Sequence, residues 1–103
     1  MDLAYTARVA DWKTRQHLED HYELHRREFP GLTFEQYDAS AQETIATGTR
    51  FTYRARRSYE LRIGYFHRET SRFVATDLDG FIRSHHRTDE SEVAEQIDST
   101  YRD

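Results

Sequence analysis

The 103-residue chain contains no cysteine, which removes disulfides, thiolate metal sites and a thiol nucleophile together. Lysine is reduced to Lys13, so basic charge is carried almost entirely by arginine. The planar guanidinium fork suits phosphate, although base composition of the coding DNA produces the same excess. Glycine is sparse and nowhere clustered, so no phosphate-cradling glycine loop is present. No apolar run approaches the length that crosses a bilayer. The opening MDLAYTARVADWK lacks the apolar core of a signal peptide, and a soluble, cytoplasmic protein is expected. The length fits one domain with a single modest core.

What is present is aromatic. Apolar residues make up 36% and charged residues 33%, a balance that would suggest disorder if aromatic residues were scarce. Seven Tyr, six Phe and one Trp supply enough bulky side chains for a small core. The net charge of −4 argues against a general nucleic-acid binder. Its distribution argues differently: residues 1–49 carry five basic against nine acidic side chains, residues 50–87 nine against four, and residues 88–103 one against six. A basic island lies between two acidic flanks.

The stretch HLEDHYELHRREFPG, His17 to Gly31, places three of the six histidines at four-residue steps. At roughly 100° per residue, Leu18, Tyr22 and Phe29 form an apolar stripe, with His25 at its margin and His21, Glu28 and His17 along one shoulder. The pattern predicts a helix from about Ala10 to Phe29, with Trp12 reaching the core from another direction. Pro30 and Gly31 stop it, because proline disfavours helical geometry before it and glycine accepts a left-handed turn. Thr33 and Gln36 have capping-box spacing, and Leu32 and Tyr37 the spacing of a hydrophobic staple. A second helix is therefore expected to about Thr47, ended by Gly48.

From Thr49 the period changes to two. TRFTYRARR and SYELRIGYF alternate aromatic or aliphatic residues with arginine. In the second, Tyr59, Leu61, Ile63 and Tyr65 are expected on one face and Glu60, Arg62 and Phe66 on the other. A turn at HRETSR leads to the strand RFVAT; DLDG supplies an Asp-Gly turn before FIRSHHR. ESEVAEQIDSTYR, with Val93, Ile97 and Tyr101 at four-residue steps, suits a short acidic helix. The order predicts an α+β domain: two N-terminal helices, about 10–47, on one face of a four-stranded antiparallel sheet, about 49–87, with room for a short C-terminal helix.

Several chemistries are open to these residues. His17/His21 and His21/His25 have the i, i+4 spacing of a helical zinc chelate. However, HLEDH puts Glu19 and Asp20 in the wrong slots for the protease signature H-E-x-x-H. Distant ligands such as His67, His85 or His86 would have to complete a shell. Acid/base catalysis suits a histidine held at the edge of an apolar stripe, although half-buried and solvated helix histidines look the same in sequence. Arg50, Arg54, Arg56, Arg57, Arg62, Arg68, Arg72 and Arg83 lie in or beside strands with aromatic neighbours. That is the make-up of a face that holds phosphates and stacks bases, although a solvated outer face also carries charge. On the last strand Ser84 and His86 share a side and His85 points away. No Gly-x-Ser-x-Gly elbow surrounds Ser84, which fits a hydrogen-bond donor better than a nucleophile.

HLEDHYELHRREFPGLTFEQYDASA resembles the opening of small toxin nucleases grouped as the barnase, EndoU, colicin and RelE-like fold. In these a helix with a histidine pair and a closing Glu-Phe-Gly corner leads into a second helix bearing a tyrosine and small residues. GYFHRETSRFVATDLDGFIRS is similar to their hairpin, with its acidic-Gly turn and a strand ending in Arg followed by Thr or Ser. The resemblance spans roughly residues 12 to 88. It implies a metal-independent endoribonuclease of the bacterial toxin type, in which the RNA 2′-hydroxyl attacks the adjacent phosphate. His21 and His25 match the helical pair, with His21 as general base or acid and His25 as partner or orienter. Arg62 matches the strand cation, and Arg83 with Ser84 the last-strand motif. Arg54, Arg56, Arg68, Arg83 and His86 are then expected to bind substrate. RNA and an inhibitory antitoxin or immunity protein are the implied partners, with no cofactor, metal or membrane. This chain differs in having Pro30 after Phe29, His86 where an aromatic is common, and net acidity. A non-catalytic RNA- or protein-binding module of the same fold is the alternative, and a zinc-dependent hydrolase a weaker one.

Overall fold

The computed structural model describes residues 8–101, with side chains through Glu95. The chain forms α1 (Arg15–His25), α2 (Phe34–Thr47), β1 (Thr49–Arg54), β2 (Leu61–His67), β3 (Arg72–Thr76), β4 (Ile82–Arg87) and α3 (Glu90–Tyr101). The strands pair as an antiparallel meander in the order β1-β2-β3-β4. This is the expected α+β fold. Among the described residues no helix is long and apolar enough to cross a membrane.

The first helix begins later than its periodicity predicts. Asp11 to Lys13 are drawn into a parallel bridge with β4, where Ile82 N–H donates to the Asp11 carbonyl at 2.8 Å and Lys13 N–H to the Ile82 carbonyl at 3.4 Å. Thr14 then caps the helix, its hydroxyl accepting from His17 N–H. After His25 the chain tightens into a 3₁₀ turn, Arg26–Glu28, so Phe29 lies outside the helix yet remains buried. Gly31, at φ +83°, turns the corner. Both halves of the Thr33/Gln36 capping box form, and α2 ends at Gly48 as its sequence indicates.

The strand registers sort side chains into two sheets of contact. Val74, Ile82 and Tyr65 face α1 and α2, packing with Leu18, Phe29, Tyr37, Ala41 and Trp12. The alternate positions Tyr53, Phe66, Phe73 and Ala75 pack with Val93 of α3, with Phe51 beside them. The third helix therefore lies on the opposite face from the first two. Val93 is the anchor that carries it there; Ile97 and Tyr101 fall outside the described side chains. On the α3 face Phe51 is the cross-strand partner of Gly64. A Cβ on Gly64 would meet the Phe51 ring at 2.5 Å, so glycine lets that ring lie across β2.

Two irregularities shape the sheet. Tyr59 has φ +60° and is 72% exposed, so it belongs to the β1–β2 loop with Glu60 rather than to β2. On β4, Ala75 pairs with Ser84 and Thr76 with Ile82, which leaves Arg83 as the extra residue of a bulge. Bulges redirect side chains, and this one sits where α1 crosses β4.

Candidate active site

Four-residue spacing stacks the histidines of α1 into a column. The ring centroids of His17 and His21 are 5.1 Å apart, and those of His21 and His25 5.7 Å. Trp12 approaches His21 at 5.7 Å from the N-terminal side. Its indole N–H is fixed by the Asp38 carboxylate at 2.9 Å. At the other end His25 stacks on His86 of β4 at 5.3 Å, and His86 in turn meets Phe73 at 5.1 Å. The column thus continues from helix to sheet without a break.

Glu28 ties the two elements together. One carboxylate oxygen accepts from His25 Nδ1 at 2.6 Å and the other from the Arg87 backbone N–H at 2.9 Å. Burial raises the Glu28 pKa, but these two hydrogen bonds outweigh it and hold the carboxyl below its ordinary range. The ionised carboxylate makes Nδ1 the protonated nitrogen of His25 and leaves Nε2 with its lone pair. Sequence reading placed Glu28 on the histidine shoulder without assigning it a role; its i+3 spacing from His25 was the signal.

The other three imidazoles of the column are lowered from the ordinary histidine value. His21 is pushed down to about 4, first by burial and then by its neighbours His17, His25 and His86. Its Nδ1 is buried with no hydrogen-bond partner. His17 is lowered by burial and by Arg83 and Arg62. His86 is lowered by burial and by His25, with Glu28 and Glu92 acting in the opposite sense. His17, His21 and His86 therefore favour their neutral forms, and a bound anion would oppose that preference.

The cations come from the sheet. Arg62 projects from the same face as Phe66, and directly across the strands from Tyr53. Its side chain is 14% exposed; one end pairs with Glu60 at 2.9 Å, while Nε is buried without a partner. Arg83, redirected by the bulge, acts on His17 together with Arg62. Ser84 and His86 share this face, whereas His85 points into the opposite core as the alternation required. The ring contacts join His17, His21, His25 and His86 where α1 meets β4, with Trp12 beside His21, Glu28 on His25 and Arg62 and Arg83 acting on His17; Ser84 shares the strand face of His86.

Three expected substrate-binding residues lie elsewhere. Arg54 is exposed at the end of β1 and donates to the Tyr59 carbonyl at 3.0 Å. Arg56 pairs with Glu95 at 2.9 Å, and Arg68 with Glu90, both partners on α3. A cavity of about 720 Å³ lies on the other side of Trp12, between the N-terminal segment, α1 and α2. No histidine lines that cavity, and Arg8 engages two of its carboxylates, Asp11 and Asp38. Among the described residues no group of three or more His, Cys, Asp or Glu is arranged to hold a metal ion. No family model, curated protein or solved structure matches the chain.

Proposed function

We propose that the chain is an endoribonuclease of the bacterial toxin type that cleaves RNA by attack of the 2′-hydroxyl on the neighbouring phosphate. The observation that supports this most directly is the continuous imidazole column from His17 to His86, set against Arg62 and Arg83 and backed by Glu28. Transesterification of RNA needs a base, an acid and cations around the phosphorane, and these groups supply all of them with no cofactor.

His25 takes the role of base, because Glu28 holds its ring. Glu28 orients its ring and stabilises the imidazolium that forms when Nε2 takes the 2′ proton. His21 is the acid. Its depressed basicity makes its protonated form a strong donor, and the negative charge of the bound phosphate stabilises that form. Arg62 and Arg83 offset the developing charge, with Arg62 Nε an unused donor. Ser84 holds a phosphate oxygen and His86 keeps His25 in place by stacking. The products are a 2′,3′-cyclic phosphate and a 5′-hydroxyl. The reaction takes place on cytoplasmic RNA, and an antitoxin or immunity protein would restrain it by covering this face.

Incubation with total cellular RNA in chelator, followed by mapping of new ends, tests the proposal. Cyclic-phosphate ends are expected, and His25→Ala or His21→Ala should slow their appearance by at least about a hundredfold. Cleavage at the parental rate in both variants overturns the assignment. Salt-sensitive RNA binding with no new ends would instead support the non-catalytic module, which the low basicity of His21 favours.

A further inference from the structure

The C-terminal helix brings the acidic flank of the chain onto the basic, aromatic face of the sheet. Asp89 opens it, accepting from Glu92 N–H at 2.9 Å, and Thr88 N–H donates to the Ser71 carbonyl at 2.9 Å. From there Glu90 pairs with Arg68, while Glu95 at 2.9 Å and Glu92 at 3.9 Å reach Arg56. Between these charge pairs Val93 is buried against Tyr53, Phe66 and Phe73. A cavity of about 310 Å³, lined by Phe51, Phe66, Arg68 and Val93, remains beneath the helix.

The surface under α3 has the make-up of a track for a single strand of nucleic acid. Aromatic rings lie in its middle and arginines at its ends, which is the combination that stacks bases and holds phosphates. It is continuous with the candidate active site, since Phe73 contacts both this aromatic cluster and His86. The pairs that hold α3 over it are shallow. Arg56 and Arg68 are 63% and 76% exposed at the side chain, and their acidic partners are also more than half exposed. Exposed pairs of this kind contribute little to stability. The chain supplies carboxylates where a strand would supply phosphates.

We propose that the face beneath α3 binds the single-stranded RNA leading to the scissile phosphate, and that α3 competes with that strand for Arg56 and Arg68. Binding displaces the helix, and the acidic flank sets how readily the site is reached. The proposal rests on the RNA reading above, but it concerns the path of the strand rather than the chemistry. A single-stranded deoxyoligonucleotide separates the two, because it presents phosphates and bases without the 2′-hydroxyl that cleavage requires.

The experiment compares the parent with the triple variant Glu90→Gln, Glu92→Gln, Glu95→Gln, which leaves Val93 in place. A labelled deoxyoligonucleotide should bind the variant about tenfold more tightly at low salt. The slope of log affinity against log salt should steepen by about 1.4, since each of two arginines then releases a free counterion, at about 0.7 per cation for single strands. Hydrogen exchange supplies a measurement on the unaltered chain: α3 amides should exchange faster when the oligonucleotide is bound. Equal or weaker binding by a variant that melts like the parent, or α3 amides that slow or stay unchanged on binding, overturns the proposal. If the variant melts early, the exchange result on the parent decides. Tight binding with the predicted slope but no cyclic-phosphate ends from RNA would leave the strand track standing and refute the nuclease reading alone.

Discussion

His85 and His86 are neighbours on one strand, and they illustrate how differently the two faces of the sheet treat the same side chain. His85 is fully buried beneath α2 with every polar atom answered: Nδ1 donates to the Phe73 carbonyl at 2.9 Å and Nε2 meets the Ser40 hydroxyl at 3.0 Å. Phe29 and Tyr37 pack against its ring, and the Tyr37 hydroxyl bonds its carbonyl. Its pKa is pushed down to about 3 by burial, so it acts as a neutral connector of helix and sheet. His86 stacks on His25 at the end of the imidazole column. Among the described residues the buried nitrogens without a partner are His21 Nδ1 in that column and Arg62 Nε on the sheet face that His86 shares. Satisfied polar groups mark the face that holds the fold together. Unanswered ones mark the face where a ligand can supply what the chain does not.

Substitution should separate the two roles. His85→Ala is expected to cost about 2–4 kcal/mol of stability, because it opens a cavity and strands Ser40 and the Phe73 carbonyl. His86→Ala should cost less than about 1 kcal/mol, as expected for a position that is not fully buried. Denaturant titration of both variants reads the difference, and equal losses would erase the distinction between the faces.

Acid should distinguish them next. Folded His85 and His21 titrate at about 3 and about 4, below the ordinary histidine value of 6.5. Between those limits the unfolded chain binds the extra protons, so stability is complete above about pH 6.5 and falls as pH drops toward 4. The loss is at most about 1.4 kcal/mol per pH unit for His85, and less for His21, which stays partly solvated. Bound phosphate should flatten only the share that belongs to the imidazole column. A melting profile in phosphate parallel to that in an inert buffer would count against an anion site there.

The smallest effect sharpens the assignment within the imidazole column. Glu28→Gln keeps a hydrogen-bonding side chain but removes the charge behind His25, and should lower the cleavage rate about tenfold. An unchanged rate would make Glu28 only a strut between the 3₁₀ turn and β4.

Much of this was readable in advance where one local signal sufficed. The Thr33/Gln36 box, the Gly31 corner and the Leu18/Tyr22/Phe29 stripe depend on neighbours a few residues apart. The strand alternation placed Ser84 and His86 on one side and His85 on the other. What stayed hidden depends on partners distant in sequence. The helix starts at Arg15 because Ile82 claims the backbone of Asp11 and Lys13, a pairing no periodicity reports. Glu28 gained its role only when β4 brought the Arg87 N–H beside it. Arg54, Arg56 and Arg68 looked equivalent to Arg62 in composition, yet strand end, loop and turn carried them away from the histidines. The side of the sheet chosen by α3 was equally undetermined, because an amphipathic helix following a meander can dock on either.

The bridge between Asp11–Lys13 and Ile82 also guards the molecule against its own kind. It occupies both main-chain groups of Ile82, so the outer margin of β4 offers little to an incoming strand. At the other margin β1 exposes Arg50 and Arg54, and a second copy laid alongside would set guanidinium against guanidinium. Neither border invites a neighbouring sheet to extend this one.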